Sequence, residues 1–363
     1  MKKKILVTGG AGYIGSHVVR QLGEAGYDVV VYDNCSTGSP TSVLNGKLII
    51  GDLADSDHLY QVFAEHKFSA VLHFAASLIV PESVARPLDY YTNNTRNTLN
   101  LLRCCSVMGV NQIIFSSTAA VYGEVKEDFV TESALTQPIN PYGRSKLMSE
   151  WLIQDYAAAS SLRYVILRYF NVAGADPGGR LGQMTLNATH LIRAACDAAL
   201  KRKKEVRIFG TDFPTPDGTA IRDYIHVEDL ATAHSDALRY LEQGKESQIF
   251  NCGYGQGYSV RQVIERVKSI SGVDFPVIAT GRRNGDPACV AACAYKIHSL
   301  LGWRPQHNDL DQIIYTSLAW EMRRDNLVVK PFELIQKDRS NIALRQQIYR
   351  DLQKNLKTLA LSV

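Results

Sequence analysis

The segment Thr8-Gly-Gly-Ala-Gly-Tyr-Ile-Gly15 constrains this chain more than any other. It follows the apolar run Lys4–Thr8 without a break and opens a helix-like stretch, Tyr13–Ala25. In a strand–turn–helix setting each glycine has a task. Gly9 makes the tight turn, Gly12 lets backbone N–H groups approach a pyrophosphate, and Gly15 allows close packing of helix on strand. The phosphates then sit at a helix N-terminus, where free N–H donors and the helix dipole favour negative charge. Asp33 closes the second β-rich run about 20 residues on, the position of a ribose 2′-hydroxyl ligand. A carboxylate there repels a 2′-phosphate, so the expected cofactor is NAD and not NADP.

The first half alternates strand and helix. Lys4–Thr8, Asp28–Tyr32, Lys47–Ile50, Ala70–Phe74, Gln112–Ser116 and Tyr164–Phe170 read as strands. Most are continuously apolar, as expected where helices cover both faces of a sheet. Tyr13–Ala25, Leu88–Met108 and Tyr142–Ala159 read as helices between them. The pattern predicts an α/β fold: a Rossmann-type doubly wound parallel sheet with a smaller C-terminal α/β substrate lobe. The expected division is a dinucleotide domain at 1–170, with part of 223–252 returning to it, a lobe at 171–325 (mainly 171–222 and 253–325), and a helical extension at 326–363. In that extension Leu344, Ile348, Leu352, Leu356 and Leu359 recur at helical spacing. Such a stripe fits a helix packed on its own body or across a dimer, or a basic amphipathic helix on a membrane surface. Gly253-Tyr-Gly-Gln-Gly257 imitates a phosphate loop but does not open a helix at once, so it reads as structural.

Tyr142-Gly-Arg-Ser-Lys146 puts Tyr142 and Lys146 one helical turn apart on one face. A phenol titrates near ~10 and needs a lowered pKa to act as a base at neutral pH. A neighbouring ammonium, and the positive nicotinamide ring, both favour the phenolate. Thr118 follows the strand before this helix and brings a hydroxyl to the same point. Gly51-Asp52-Leu53 closes the third strand, where a carboxylate can accept the adenine amino group.

With these motifs the chain resembles the extended short-chain dehydrogenase/reductase family, and within it the UDP-glucose (UDP-galactose) 4-epimerases. The resemblance spans residues ~4–325. It is carried further by His73-Phe-Ala-Ala76, Tyr90-Tyr-Thr-Asn-Asn94, Phe115-Ser-Ser-Thr118, Val121-Tyr-Gly123, Arg168-Tyr-Phe-Asn171, Arg222-Asp-Tyr-Ile-His-Val227 and Arg282-Arg-Asn-Gly-Asp286. It implies a 4-epimerisation of a UDP-hexose through a 4-keto sugar. Tyr142 would be the base, Thr118 its hydrogen-bonding partner, and Lys146 the holder of the nicotinamide ribose. The implied cofactor contacts are Gly9, Gly12, Tyr13, Ile14, Gly15, Asp33, Asn34, Asp52, Leu53, Phe74, Ala75, Ala76, Asn93, Thr118, Tyr142, Lys146 and Phe170. For the UDP-sugar they are Thr118, Tyr142, Asn171, Leu191, Arg222, Arg283 and Asp286, with Val290 near the sugar C2 substituent. A valine there leaves space for an acetamido group, so both plain and N-acetylated UDP-hexoses are expected.

The chain departs from the family pattern at Leu78, where some members have lysine, at Arg193, in place of a proline, and at Ala292-Cys293, in place of Ala-Asp. One rival is a UDP-glucuronate 4-epimerase or decarboxylase, whose sugar carboxylate needs an extra cation; Arg193 is the one odd basic residue for that task. A 4,6-dehydratase needs an acid pair after Thr118, where Ala119-Ala120 stand. A non-catalytic NAD-binding scaffold could discard the Tyr142–Lys146 pair, which this chain keeps. The net charge of +4 argues against bulk nucleic-acid binding. The opening Met1-Lys-Lys-Lys4 meets Thr8-Gly-Gly10 too soon for a signal sequence, and no run of ~18 apolar residues follows. Seven scattered cysteines suggest free thiols in a reducing compartment and no metal. A cytoplasmic homodimer is the expected setting.

Overall fold

The computed structural model describes residues 2–125, 127, 129–185, 190–283, 286–325 and 342–361, with side chains in the last segment from 346 to 356. The strands are β1 (Lys4–Thr8), β2 (Asp28–Asp33), β3 (Lys47–Ile50), β4 (Ala70–His73), β5 (Gln112–Thr118), β6 (Phe129–Val130), β7 (Arg163–Tyr169), β8 (Asn171–Ala173), β9 (Val206–Phe209), β10 (Ile221–His226), β11 (Gln248–Cys252), β12 (Gly257–Ser259), β13 (Val277–Thr280) and β14 (Cys289–Ala292). The helices are α1 (Tyr13–Glu24), α2 (Ser56–His66), α3 (Val80–Ala85), α4 (Pro87–Tyr90), α5 (Asn97–Met108), α6 (Pro141–Ala158), α7 (Leu191–Ala199), α8 (Val227–Glu242), α9 (Val260–Ser271), α10 (Leu310–Arg324) and α11 (Ile342–Leu361).

Seven strands form one parallel sheet in the order β3-β2-β1-β4-β5-β7-β11. The side on which successive strands are added reverses between β1 and β4, whose parallel register pairs Val7 with Leu72 and Thr8 with His73. At such a switch point the two neighbouring loops leave in opposite directions and open a crevice at the strand ends. Alternation along β1 feeds two cores. Ile5 and Val7 pack into the layer shared with α1 and α8, and Leu6 into the layer shared with α2 and α5. The segment α8–β11 returns to this sheet through the pairing of β11 with β7.

The helix read at Leu88–Met108 is not continuous. Between α4 and α5 the backbone widens into a π-helical turn, Tyr91–Arg96. Here Asn94 is buried and aimed at Ser77 and Ser145, contacts that pull the turn out of α-helical register. Such π-turns are common where a helix serves a site.

The second lobe places β10 between β12 and β14, with β6 beyond β14 and β8 also paired to β10, while β9 and β13 form a separate parallel pair. Helices α7, α9 and α10 enclose its core. Helix α9 starts in a capping box of Ser259 and Gln262 and stops at left-handed Gly272, so its ends are written in the sequence. Ile348, Leu352 and Leu356 of α11 are buried in the same core, and Gln353 donates to the Ser269 carbonyl. These three residues therefore face the protein's own body and not a membrane surface. Leu344 and Leu359 lie outside the residues whose side chains are described.

Candidate active site

A cleft of about 1800 Å³ runs across the C-terminal ends of β1 and β4 and down between the lobes. Every residue expected to touch the dinucleotide or the UDP-sugar lines it, from Gly9 at one end to Val290 at the other.

At the dinucleotide end the glycine turn has a shape that no other residue fits. Gly9 has φ +73°, and a Cβ there would lie 2.5 Å from the Ala75 nitrogen. A Cβ on Gly15 would lie 2.3 Å from the Gly9 carbonyl oxygen, so the first turn of α1 rests on the loop itself. Gly12 heads α1 with no side-chain cap, leaving the first N–H groups of the helix to a ligand. The Asp33 carboxylate accepts from the Ala11 N–H at 2.9 Å and the Cys35 N–H at 2.8 Å. Those bonds fix its orientation beside the turn and leave lone pairs for hydroxyl donors. Asn34 donates to Asp52 at 2.8 Å, tying the ends of β2 and β3 together. A bare helix N-terminus, a turn without room for a Cβ and an oriented acid fit a dinucleotide with a free ribose diol.

The candidate reactive centre is built by α6 lying on β5. Asn140 caps α6 by accepting from the Gly143 N–H, and Pro141 follows in the first turn, so the sequence starts the helix just before Tyr142. Lys146 is buried, and its Nζ donates to the Ser116 carbonyl at 2.9 Å and lies 4.8 Å above the Phe115 ring centroid. Burial lowers its pKa to about 7, opposed by the charge of Glu150. Burial also raises the Tyr142 phenol, and the Thr118 hydroxyl pulls it back. This modifies the expectation that the lysine tunes the tyrosine. In the protein alone the largest influence on the Tyr142 phenol is desolvation. Tyr90 stands edge-on to the Tyr142 ring at 6.5 Å, with its hydroxyl bonded to Ile79 and Glu82.

In the substrate lobe, register does what motifs do in the first half. β10 and β14 pair Arg222 with Val290. Arg222 then bridges to Asp286 at 3.2 Å, and the Arg283 guanidinium lies 3.6 Å above the Phe209 ring. Asn171 donates to the Asp223 carbonyl at 3.3 Å, and Leu191 starts α7 at the cleft wall. Val290 packs with Phe170, Leu147 and Val121 while still reaching the cleft.

Arg193 is not a free cation for a sugar carboxylate. It pairs with Glu321 at 2.6 Å and Asp197 at 3.2 Å, because α10 presents a buried acid opposite it. Gly253–Gly257 is structural: its Tyr254 and Gly255 N–H groups hold the buried Asp223 carboxylate. Sequence reasoning missed Phe209, Gln183 and the basic rim of Lys203, Lys204 and Arg207. The run Lys201-Arg-Lys-Lys204 was the available signal for that rim.

Residues 5–253 match the profile of the NAD dependent epimerase/dehydratase family. A UDP-glucose 4-epimerase of Azospirillum brasilense is 52% identical over 319 residues, 88% of this chain and 92% of that protein. The crystal structure of UDP-glucose 4-epimerase from Brucella ovis in complex with NAD is similar, with a TM-score of 0.85, 43% identity, and 87% of this chain and 97% of that one covered. The UDP-Glc/GlcNAc 4-epimerase of Campylobacter jejuni is 47% identical, with a TM-score of 0.79 over 88% of this chain and 99% of that one. The chain belongs to the NAD dependent epimerase/dehydratase family.

Proposed function

We propose that the protein interconverts UDP-hexoses epimeric at C4, acting on UDP-glucose and UDP-galactose and on their N-acetylated counterparts. One observation carries the reading. Tyr142, Thr118 and Lys146 stand in the same cleft as the glycine turn and Asp33, and Arg222, Asp286 and Arg283 line its other arm. The relatives supply the reaction class, since each is named for 4-epimerisation of a UDP-sugar, and the Brucella ovis structure is a complex with NAD.

NAD held in this cleft would supply reversible hydride acceptance at the sugar C4. The chain does the rest. Backbone N–H groups at the start of α1 bind the pyrophosphate, and Asp33 takes the ribose hydroxyls. Tyr142 removes the 4′-hydroxyl proton and later returns one, and Thr118 holds the same oxygen. Because burial raises the Tyr142 phenol further above its ordinary value, a cation beside it is what readies it as a base. Lys146 holds the nicotinamide ribose. Arg222 and Arg283 answer the diphosphate and Asp286 a ribose diol.

The test is a panel of UDP-hexoses incubated with the purified protein without added NAD and read by product chromatography. C4 epimers should form from both the plain and the N-acetylated pairs. Turnover only on UDP-glucuronate, or on none, would overturn the reading. Exposed Trp151 and Met148 on α6 and Val107 on α5 favour a homodimer through these neighbouring helices. Sedimentation at twice the chain mass supports it, and monomer mass rejects it.

A further inference from the structure

Tyr142, Lys146 and Glu150 recur every four residues on one face of α6, and each meets the end of β5. Tyr142 is bonded through its phenol to Thr118, and Lys146 donates to the Ser116 carbonyl at 2.9 Å. Glu150 accepts from the Ser117 hydroxyl at 2.5 Å. Three successive turns of the helix thus grip three successive residues of the strand that carries Thr118. Glu150 is wholly buried and does not line the cleft. Its second partner is Arg168 on β7, which meets the carboxylate bidentately at 2.6 and 3.0 Å and is itself 4% exposed. Arg168 also donates to the Tyr122 hydroxyl, which donates to Asn251 on β11. A buried charge pair of this kind adds little stability beyond a well-packed apolar pair, so a positional or electrostatic task is the better account of it.

We propose that Glu150 is a positioning residue for the reaction: it fixes α6 on the end of β5 and serves as the counter-ion that keeps the Lys146 ammonium charged. The surroundings of Lys146 leave few other candidates. β5 offers a carbonyl and the Phe115 ring. On β4, His73 is held between Thr8 and Thr98 and kept neutral by burial and by Lys146 itself. On α8, His234 reaches Ser116 and is likewise neutral through burial. On α6, buried Tyr142 is a neutral phenol, and on β7 Tyr169 accepts from Ser116 as another. Arg168 is the other charge nearby, and it is paired with Glu150. Among the described residues, Glu150 is the group whose charge favours protonated Lys146.

The inference rests on the roles of Tyr142 and Lys146 given above, and the experiment separates the two. In wild-type holoenzyme, kcat for UDP-galactose should fall on the alkaline side as Lys146 loses its proton. In Glu150→Gln that limb should move down by about one pH unit, tenfold in rate at a fixed pH above it. KM should stay within about twofold, and bound NAD, read by mass after denaturation, should be retained. The double variant Glu150→Gln/Arg168→Met removes the stranded guanidinium, so it protects the test against misfolding. It should show a smaller shift in the same direction, since no unpaired cation then adds to the repulsion. An unmoved alkaline limb in folded, NAD-loaded variants overturns the proposal. A wild-type protein without epimerase activity overturns the functional reading instead.

Discussion

The two walls of the cleft are made in different ways. On the β5–α6 side the reactive groups are near one another in sequence. Thr118 ends a strand, and Tyr142 and Lys146 share one face of the helix that lies on it. Their geometry follows from local periodicity plus a single strand–helix contact. On the opposite wall, Arg222 meets Asp286 across 64 positions, and Arg283 meets Phe209 from a separate strand pair. That wall is assembled by register between β10 and β14, and it leans on a core that includes the C-terminal helix. On the proposed roles, chemistry is concentrated where the chain is local, and ligand choice where it is not. A substitution on the first wall should therefore stop the reaction, while one on the second should redirect or loosen it.

The sharpest way to break this comparison is Tyr142→Phe. The ring remains, so the contact with Tyr90 and the cleft shape persist, and only the proton carrier is lost. Turnover should fall by about 10²–10⁴, the contribution of a positioned acid–base group. NAD recovered from the denatured variant should match wild type, with no NADP. A variant that keeps near-normal kcat would move the proton chemistry away from this wall altogether.

The difference between the walls also explains what was legible in the sequence. The six strands β1 to β5 and β7 were readable because most are continuous apolar runs closed by a motif. Asp33, Thr118 and the glycine turn all sit at strand ends, where a motif and its location coincide. The interrupted helix around Tyr91–Arg96 was not readable, because its widening depends on Asn94 reaching Ser77 and Ser145. Arg193 looked like a spare cation since nothing nearby in sequence except Asp197 could pair with it. Its main partner, Glu321, comes from a helix more than a hundred residues away. Phe209 was passed over for the same reason: its task appears only when Arg283 is brought over its ring.

The C-terminal helix tests the claim that the second wall depends on distant parts. Leu352 is buried against residues of α9 and α10, so Leu352→Ala removes apolar contact from the core that also holds α7. A loss of about 2–4 kcal/mol in unfolding free energy is expected from a buried leucine truncation. It is read from the urea midpoint at constant slope. Wild-type stability in this variant would mean that the helix merely decorates the lobe.

The smallest expected effect is the most selective. Val290 sits at the junction of the two walls: it pairs in register with Arg222 and packs on Phe170 and on Leu147, the neighbour of Lys146. It is 9% exposed, and what remains exposed faces the cleft. A tyrosine there cannot turn its ring inward, because Phe170, Leu147 and Val121 already fill that side. The ring must enter the cleft, and the space lost is what an acetamido group on the sugar would occupy. Val290→Tyr should therefore lower kcat/KM for the N-acetylated pair by about ten- to a hundredfold, the scale of a one-group steric discrimination, and leave the plain pair within a few-fold. Equal unfolding midpoints for variant and parent would show that the core is undisturbed and that the ring lies in the cleft. Equal losses on both substrate pairs, or no N-acetyl activity in the parent, would show that another wall sets the size limit.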